Sequence, residues 1–272
     1  MTDPYIESNR ELWDEWTRLH VDTESEYQPR IDCLKSGGVP LDEVDRTEVG
    51  EVIGKTLLHL QCHFGIESLA WTRLGARVTG VDFSPEAVMR ARGFSTETGL
   101  PAEFVCSDVY ELPSVLDRTF DVVYNSGGIL VWLPDLFRWA QVVASFLKPG
   151  GVFYLRDGHP TRRVVFPLRR GEDGQVGYYR YFSSNPVRIV EHGSYAQANT
   201  EQSHAAFYWV HGLGEVVSAL CAAGLRIEYL HEFPRVYEDY PVVNHYPPDE
   251  GTVVVLHDWA IPHTFSIRAR RD

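Results

Sequence analysis

The chain has 272 residues, 44% of them hydrophobic and 23% charged, a composition for a globular protein of one large domain or a domain with an insertion. Its formal net charge of −13, from 38 acidic and 25 basic side chains, disfavours general binding to nucleic-acid phosphates. No stretch approaches the ~18 apolar residues of a membrane span, and Met1-Thr2-Asp3-Pro4 lacks a basic-then-apolar signal, so the expectation is a cytoplasmic protein with neither membrane nor nucleic-acid partners.

In chain order, Glu7 to His20 places Leu12, Trp13 and Trp16 at helical spacing, the start of a cap over residues 1–54. Thr56–Leu60 is a short apolar run expected to be a buried strand, and Gly65–Leu74 a helix. Arg77–Val81 is the next strand, and Pro85 opens a helix that runs to about Thr98. Ala102–Cys106 and Phe120–Tyr124 follow as strands. Leu136–Leu147 is a helix stopped by Lys148-Pro149-Gly150-Gly151, and Val152–Arg156 is a fifth strand.

Alternation of this kind, with strands apolar throughout, predicts right-handed crossovers and a doubly wound, Rossmann-like α/β sheet covered on both faces. The pattern lapses between about 157 and 208, which is read as an inserted lid within a domain of 55–272. Regularity returns at Gly212–Ala223, Leu225–Leu230 and Thr264–Arg268.

In such a sheet, ligands sit beyond the carboxyl ends of the strands where strand order reverses. The residues at those ends are Gln61-Cys62-His63-Phe64-Gly65, then Asp82-Phe83, then Cys106-Ser107-Asp108, then Tyr124-Asn125-Ser126. A helix N-terminus, an acid for ribose hydroxyls and an acid for an exocyclic amine together suit a nucleoside. A dinucleotide wants GxGxxG for its pyrophosphate, and this turn has a single glycine, Gly65. An adenosine without phosphates points to S-adenosylmethionine.

Residues 56–156 resemble the class I S-adenosylmethionine-dependent methyltransferases. More narrowly, "LLHLQCHFGIESLAWTRLGARVTGVDFS", "WLPDLFRWA" and "HGLGEVVSALCAAGLRIEYLHE" are similar to a subfamily of small-molecule methyltransferases with an HLQCHFG first-strand motif. The resemblance implies a seven-stranded sheet whose last strand, near Phe265–Arg268, is antiparallel. It implies that Asp82 binds the ribose, Phe83 packs on adenine, and Asp108 accepts from the adenine amine with Ser107 and Val109 alongside. Gln61, Cys62, His63 and Gly65 would lie along the methionine part, with Asn125 and Ser126 facing sulfonium and acceptor. S-adenosylhomocysteine is the implied product. The common motif has an acid at 59 and glycines at 61 and 63, where this chain has His59, Gln61 and His63.

Around that core, Tyr124, Trp132, Tyr178, Tyr179, Tyr181 and Phe182 are candidate walls for the acceptor, and Trp16, His20 and Tyr27 candidate residues of a cap closing on the cofactor. His159 and His211 are candidate general bases, with Asn125 steadying the sulfonium. Cys33, Cys62, Cys106 and Cys221 form no CxxC and are read as free thiols. His59 and His63 do not share a helical face, so no metal is expected. The acceptor is expected to be a small amine or hydroxyl compound methylated on N, O or C. Cyclisation that releases methylthioadenosine, and binding without turnover, remain alternatives, and a homodimer is compatible with the sequence.

Overall fold

The computed structural model describes residues 3–165, 180–182, 185–234 and 261–272. α1 (Pro4–His20) starts where Asp3 accepts from the Tyr5 amide and Pro4 supplies a pre-set first turn. α2 (Gln28–Lys35) and α3 (Glu43–Val49) follow, the second capped by Asp42, which accepts from the Val44 amide at 2.9 Å. The alternating part is β1 (Thr56–Leu60), α4 (Ile66–Arg73), β2 (Arg77–Asp82), α5 (Pro85–Thr98), β3 (Glu103–Cys106), α6 (Leu112–Val115), β4 (Phe120–Ser126), α7 (Leu136–Phe146) and β5 (Leu147–Gly158). Then come α8 (Pro160–Val165), β6 (Val187–Gly193), β7 (Ala198–Tyr208), α9 (Leu213–Ala222), β8 (Leu225–Phe233) and β9 (Thr264–Arg271). Ser84 caps α5 and Asp135 caps α7 through side-chain oxygens, as their types favour.

Seven strands form one sheet in the order β3-β2-β1-β4-β5-β9-β8. β1 to β5 are parallel, and β9 is antiparallel to both β5 and β8. The chain leaves β1 for β2 on one side, and β4 returns on the other. The loops after β1 and β4 therefore part company and open a crevice at the carboxyl ends.

Helices cover both faces. Leu58, Val123, Phe153 and Ile267 pack against Trp139 and Val143 of α7 and Leu220 of α9. On the other face Leu57, Val122, Tyr124 and Tyr154 pack against Val49 of α3 and Trp71 of α4. Burial on both faces is why these strands read as apolar runs without alternation.

The stretch between α8 and α9 holds regular structure that the sequence pattern does not announce. β6 and β7 pair as an antiparallel hairpin, separate from the main sheet. In β6, half-buried Val187, Ile189 and Glu191 alternate with exposed Arg188, Val190 and His192, so no continuous buried apolar run marks it. α1 lies on this hairpin: Asn9 accepts from the Phe207 amide and donates to the Phe207 carbonyl, both at 2.8 Å, and Trp16 Nε1 donates to the Gly193 carbonyl at 2.8 Å. Leu12 and Trp16 pack with Ala206 and Tyr208, and the Trp209 amide ties the hairpin's end to the Val131 carbonyl.

Asn9 is buried and satisfies both backbone groups of one strand residue. Asn9→Ala leaves a donor and an acceptor unpaired at a cost of about 1–3 kcal/mol each. Chemical denaturation is expected to show a loss of about 2–4 kcal/mol, and a loss under half a kcal/mol would mean that α1 is not held this way.

Candidate functional site

The crevice is a cavity of about 990 Å³, its solvent-facing mouth included, walled by the carboxyl ends of β1 to β4 and by α1 and α2. Of the residues singled out in the sequence, Gln61, Cys62, His63, Gly65, Asp82, Phe83, Ser107, Asp108, Val109, Ser126, Trp132 and Tyr27 line it.

The turn after β1 has a demanding backbone. Gln61 (φ 53°) and His63 (φ 51°) adopt the left-handed conformation that favours glycine, as does Gly65 (φ 79°). A Cβ on Gly65 would stand 2.8 Å from Ala91 Cβ and from the Phe104 ring, so at that position only glycine fits. At 61 and 63 the side chains are instead put to use. Gln61 reaches toward the Ile129 carbonyl and Asn125 Nδ2, each at 3.4 Å. His63 Nε2 lies 2.8 Å from His20 Nδ1, and its ring packs on Trp13 of α1.

Asp82 holds this turn in place. Its Oδ2 accepts from the His63 amide at 2.7 Å and its Oδ1 from the Ser84 amide at 3.0 Å. Burial pushes its pKa up to about 6, the Ser84, His63 and Phe83 amides only partly opposing and Asp14 adding to the rise. Each carboxylate oxygen keeps a lone pair for a ligand hydroxyl. Asp108 Oδ1 accepts from the Tyr110 amide at 2.7 Å, and burial raises its pKa as well.

Several lining residues were not anticipated from the sequence, Arg30 and Glu67 foremost. Arg30 of α2 is the sole Lys or Arg lining the cavity among the described residues, and its Nη2 meets Glu67 Oε1 of α4 at 2.9 Å. Burial works to raise the Glu67 pKa, but Arg30, His59 and the Ser126 hydroxyl outweigh it and leave it lowered. Glu67 puts an acid near where the motif's usual acid is missing, since His59 spends its Nδ1 on Ser68 Oγ at 2.8 Å. The readable signal was an acid two residues after Gly65; Arg30 had none, because only folding brings α2 to the cavity. Trp13 also lines it, against Trp132 at 5.2 Å between ring centroids.

Other expected residues lie elsewhere. Asn125 is fully buried and donates to the Leu60 carbonyl at 2.8 Å, so it braces β4 against β1 rather than facing the cavity. His159 does not line the cavity: its Nε2 faces Glu232 at 2.9 Å, and its Nδ1 accepts from the Thr161 amide at the start of α8. Nor does His211, which is held between the Leu133 carbonyl at 2.7 Å and Glu215 at 3.2 Å. Both rings are turned to partners outside the cavity, His159 to Glu232 and the start of α8 and His211 to the Leu133 carbonyl and Glu215, and that is why both depart from the expected role. Tyr124 is buried beneath the cavity, Trp16 binds the hairpin, and His20 backs His63 from behind. Tyr181 accepts from the Leu213 amide at 3.1 Å, Phe182 is 89% exposed, and Tyr178 and Tyr179 lie outside the described residues.

The sheet order with its reversed β9, and a cavity at the carboxyl ends of β1 to β4, define the fold of the class I S-adenosylmethionine-dependent methyltransferases. Residues 58–155 match the family described as Methyltransferase domain. The chain is 35% identical over 105 residues to the ubiquinone biosynthesis O-methyltransferase of Xanthomonas euvesicatoria pv. vesicatoria (strain 85-10), an alignment covering 39% of this chain and 44% of that protein. It thus spans about half the length of the curated relatives it matches. Among solved structures, a methyltransferase from Clostridium acetobutylicum superposes with a TM-score of 0.58 at 14% identity, covering 97% of this chain and 98% of the other. The DhpI–SAM–HEP complex superposes with a TM-score of 0.59 at 18% identity, covering 99% of both. Among the described residues no helix is long and apolar enough to cross a membrane.

Burial lowers the pKa of His20 to about 3, and burial together with His20 holds His63 well below the usual value. An unfolded histidine takes up a proton near pH 6.5, whereas folded His20 refuses it until about pH 3. The stability this group contributes is therefore present above pH 6.5 and lost as pH falls toward 3. Between pH 6.5 and about pH 4 the loss is on the order of 3 kcal/mol. His20→Phe is expected to flatten the acid limb of the stability–pH curve by that order, and an unchanged limb in denaturation series would refute the buried neutral pair.

Proposed function

We propose that the protein is an S-adenosylmethionine-dependent methyltransferase acting on a small, uncharged hydroxyl- or amine-bearing molecule, with S-adenosylhomocysteine as product. The carrying observation is that Asp82 and Asp108, at the ends of β2 and β3, line one cavity with the turn after β1. The donor set suits a nucleoside without phosphates: among the described residues, three lining carboxylates, Glu67, Asp82 and Asp108, stand against the one lining cation Arg30. A pyrophosphate would meet net repulsion there.

When bound, the cofactor supplies an electrophilic methyl group on a sulfonium. Asp82 accepts the ribose hydroxyls, Asp108 the adenine amine, and Phe83 and Val109 supply apolar edges to the base. Arg30 is placed to pair with the amino-acid carboxylate. With those charges committed, Trp13, Trp132, Ile129, Leu133 and Tyr195 remain as uncharged walls for the acceptor. Such a compartment favours an apolar or aromatic body, in keeping with relatives named for ubiquinone biosynthesis. Orientation against such walls and exclusion of water by α1 are this chain's contribution to the in-line displacement. α1 to α3 act as the cap and the β6–β7 hairpin as the lid over the sheet domain.

Calorimetry tests the reading. S-adenosylmethionine and S-adenosylhomocysteine are expected to bind, and Asp108→Ala to weaken both about 10- to 100-fold, the worth of a hydrogen bond to a charged group. Arg30→Met is expected to weaken both cofactor forms but leave adenosine binding unchanged. No heat with either form at millimolar ligand would sink the reading. Mass spectrometry with phenolic and amine acceptors then identifies the product.

A further inference from the structure

Beneath the cavity runs a buried chain of ionisable groups. Glu67, which lines the cavity, has Oε2 at 3.1 Å from the Tyr124 hydroxyl, and that hydroxyl lies 3.0 Å from Asp45 Oδ2. Asp45 Oδ1 is 2.9 Å from the Tyr154 hydroxyl, which is 3.0 Å from Glu48 Oε2. Glu48 Oε1 is 2.6 Å from Nδ1 of His231, whose side chain is 50% exposed on β8. Tyr124 and Tyr154 are fully buried and Asp45 is 1% exposed, so solvent reaches this line only at its two ends.

We propose that Glu67, Tyr124, Asp45, Tyr154, Glu48 and His231 form a proton path from the cavity to the surface, and that it removes the proton freed at the acceptor. The second part rests on the methyl-transfer reading above. An O–H or N–H acceptor that takes a methyl from a sulfonium gains an O–C or N–C bond as the S–C bond breaks, and it loses its proton. Each turnover thus leaves one proton in a cavity that α1 covers, and general-base help there is worth orders of magnitude in rate. Glu67 receives the proton. Tyr124 takes it while giving its own hydrogen to Asp45, and Tyr154 receives it from Asp45 while giving its own to Glu48. His231 passes it to water.

Hydrogen counting supports a line that carries protons. Four oxygen–oxygen contacts link three carboxyls and two phenols, and each phenol brings one hydrogen, so the line is bonded throughout only when carboxyls contribute protons as well. Asp45 is the natural holder. Burial and then Glu67 push its pKa up to about 7, against Arg156 and Tyr154, with Asp42 adding to the rise. Its charged or titratable neighbours are Asp42 and Glu48 of α3, Tyr124 of β4, Tyr154 and Arg156 of β5 and Glu67 of α4. With Glu67 lowered, a proton left there runs downhill to Asp45.

Time-resolved infrared spectroscopy on the full chain tests the path without any cofactor. The carboxylic-acid band that Asp45→Asn removes is expected in the wild type at about pH 6 and to vanish after a jump to about pH 8.5. Tyr154→Phe cuts the outer half and Tyr124→Phe the inner half. Tyr154→Phe is expected to slow the band's loss roughly tenfold or more, whereas Tyr124→Phe leaves Asp45's exit intact and the rate near wild type. A Tyr154→Phe rate equal to wild type, or no band assigned to Asp45, would overturn the path. A second arm uses S-adenosylmethionine in buffers of different ionisation enthalpy at about pH 6.5, where its positive charge is expected to expel part of the Asp45 proton. Binding without buffer dependence counts against the path's coupling to the cavity. Absence of binding, with the infrared result intact, counts against the cofactor reading alone.

Discussion

The cavity depends on how Asp82 holds the turn after β1. Two consecutive alternate residues, Gln61 and His63, sit in left-handed backbone without being glycine, which costs of order 1 kcal/mol or more each unless surroundings enforce it. The Asp82 carboxylate enforces it by accepting from the His63 amide while its other oxygen takes the Ser84 amide. One side chain thus fixes the end of β1 to the end of β2 and aims the His63 ring at α1.

From that ring the closure of the molecule follows. His63 meets His20 and Trp13, Trp13 meets Trp132 on the loop after β4, and α1 continues onto the β6–β7 hairpin through Asn9 and Trp16. Burial keeps both imidazoles neutral, so one can donate and the other accept across 2.8 Å. A glycine at 63 would leave α1 without this anchor. The departure from the glycine-rich motif and the presence of a helical cap are two sides of one arrangement.

Charge is distributed with equal economy. The sheet's second face carries Glu67, Asp45, Glu48, Arg30 and Arg156 under the cavity, where isolated charges would be expensive, and each meets opposite charges or phenols. Trp13, Trp132 and Tyr195 give the same cavity an aromatic wall.

The parallel core, its helix starts at Pro85 and its strand ends at Asp82 and Asp108 were legible in the sequence, because apolar runs, caps and turn acids are local properties of the chain. The hairpin was not, since a strand such as β6 that alternates half-buried and exposed positions leaves little mark among surrounding loops. Among site residues, those following strands on the same short segment as their neighbours were found. Arg30, Glu67, Trp13 and Tyr195 were missed, while Asn125, His159 and His211 were assigned to a cavity they do not line. The sequence by itself determined which strand ends would border the cavity, because strand direction fixes where a parallel sheet opens. Only the tertiary structure decided which distant helices close over that opening and which buried acids and phenols meet beneath it, because those pairings depend on distances between segments that no local pattern encodes.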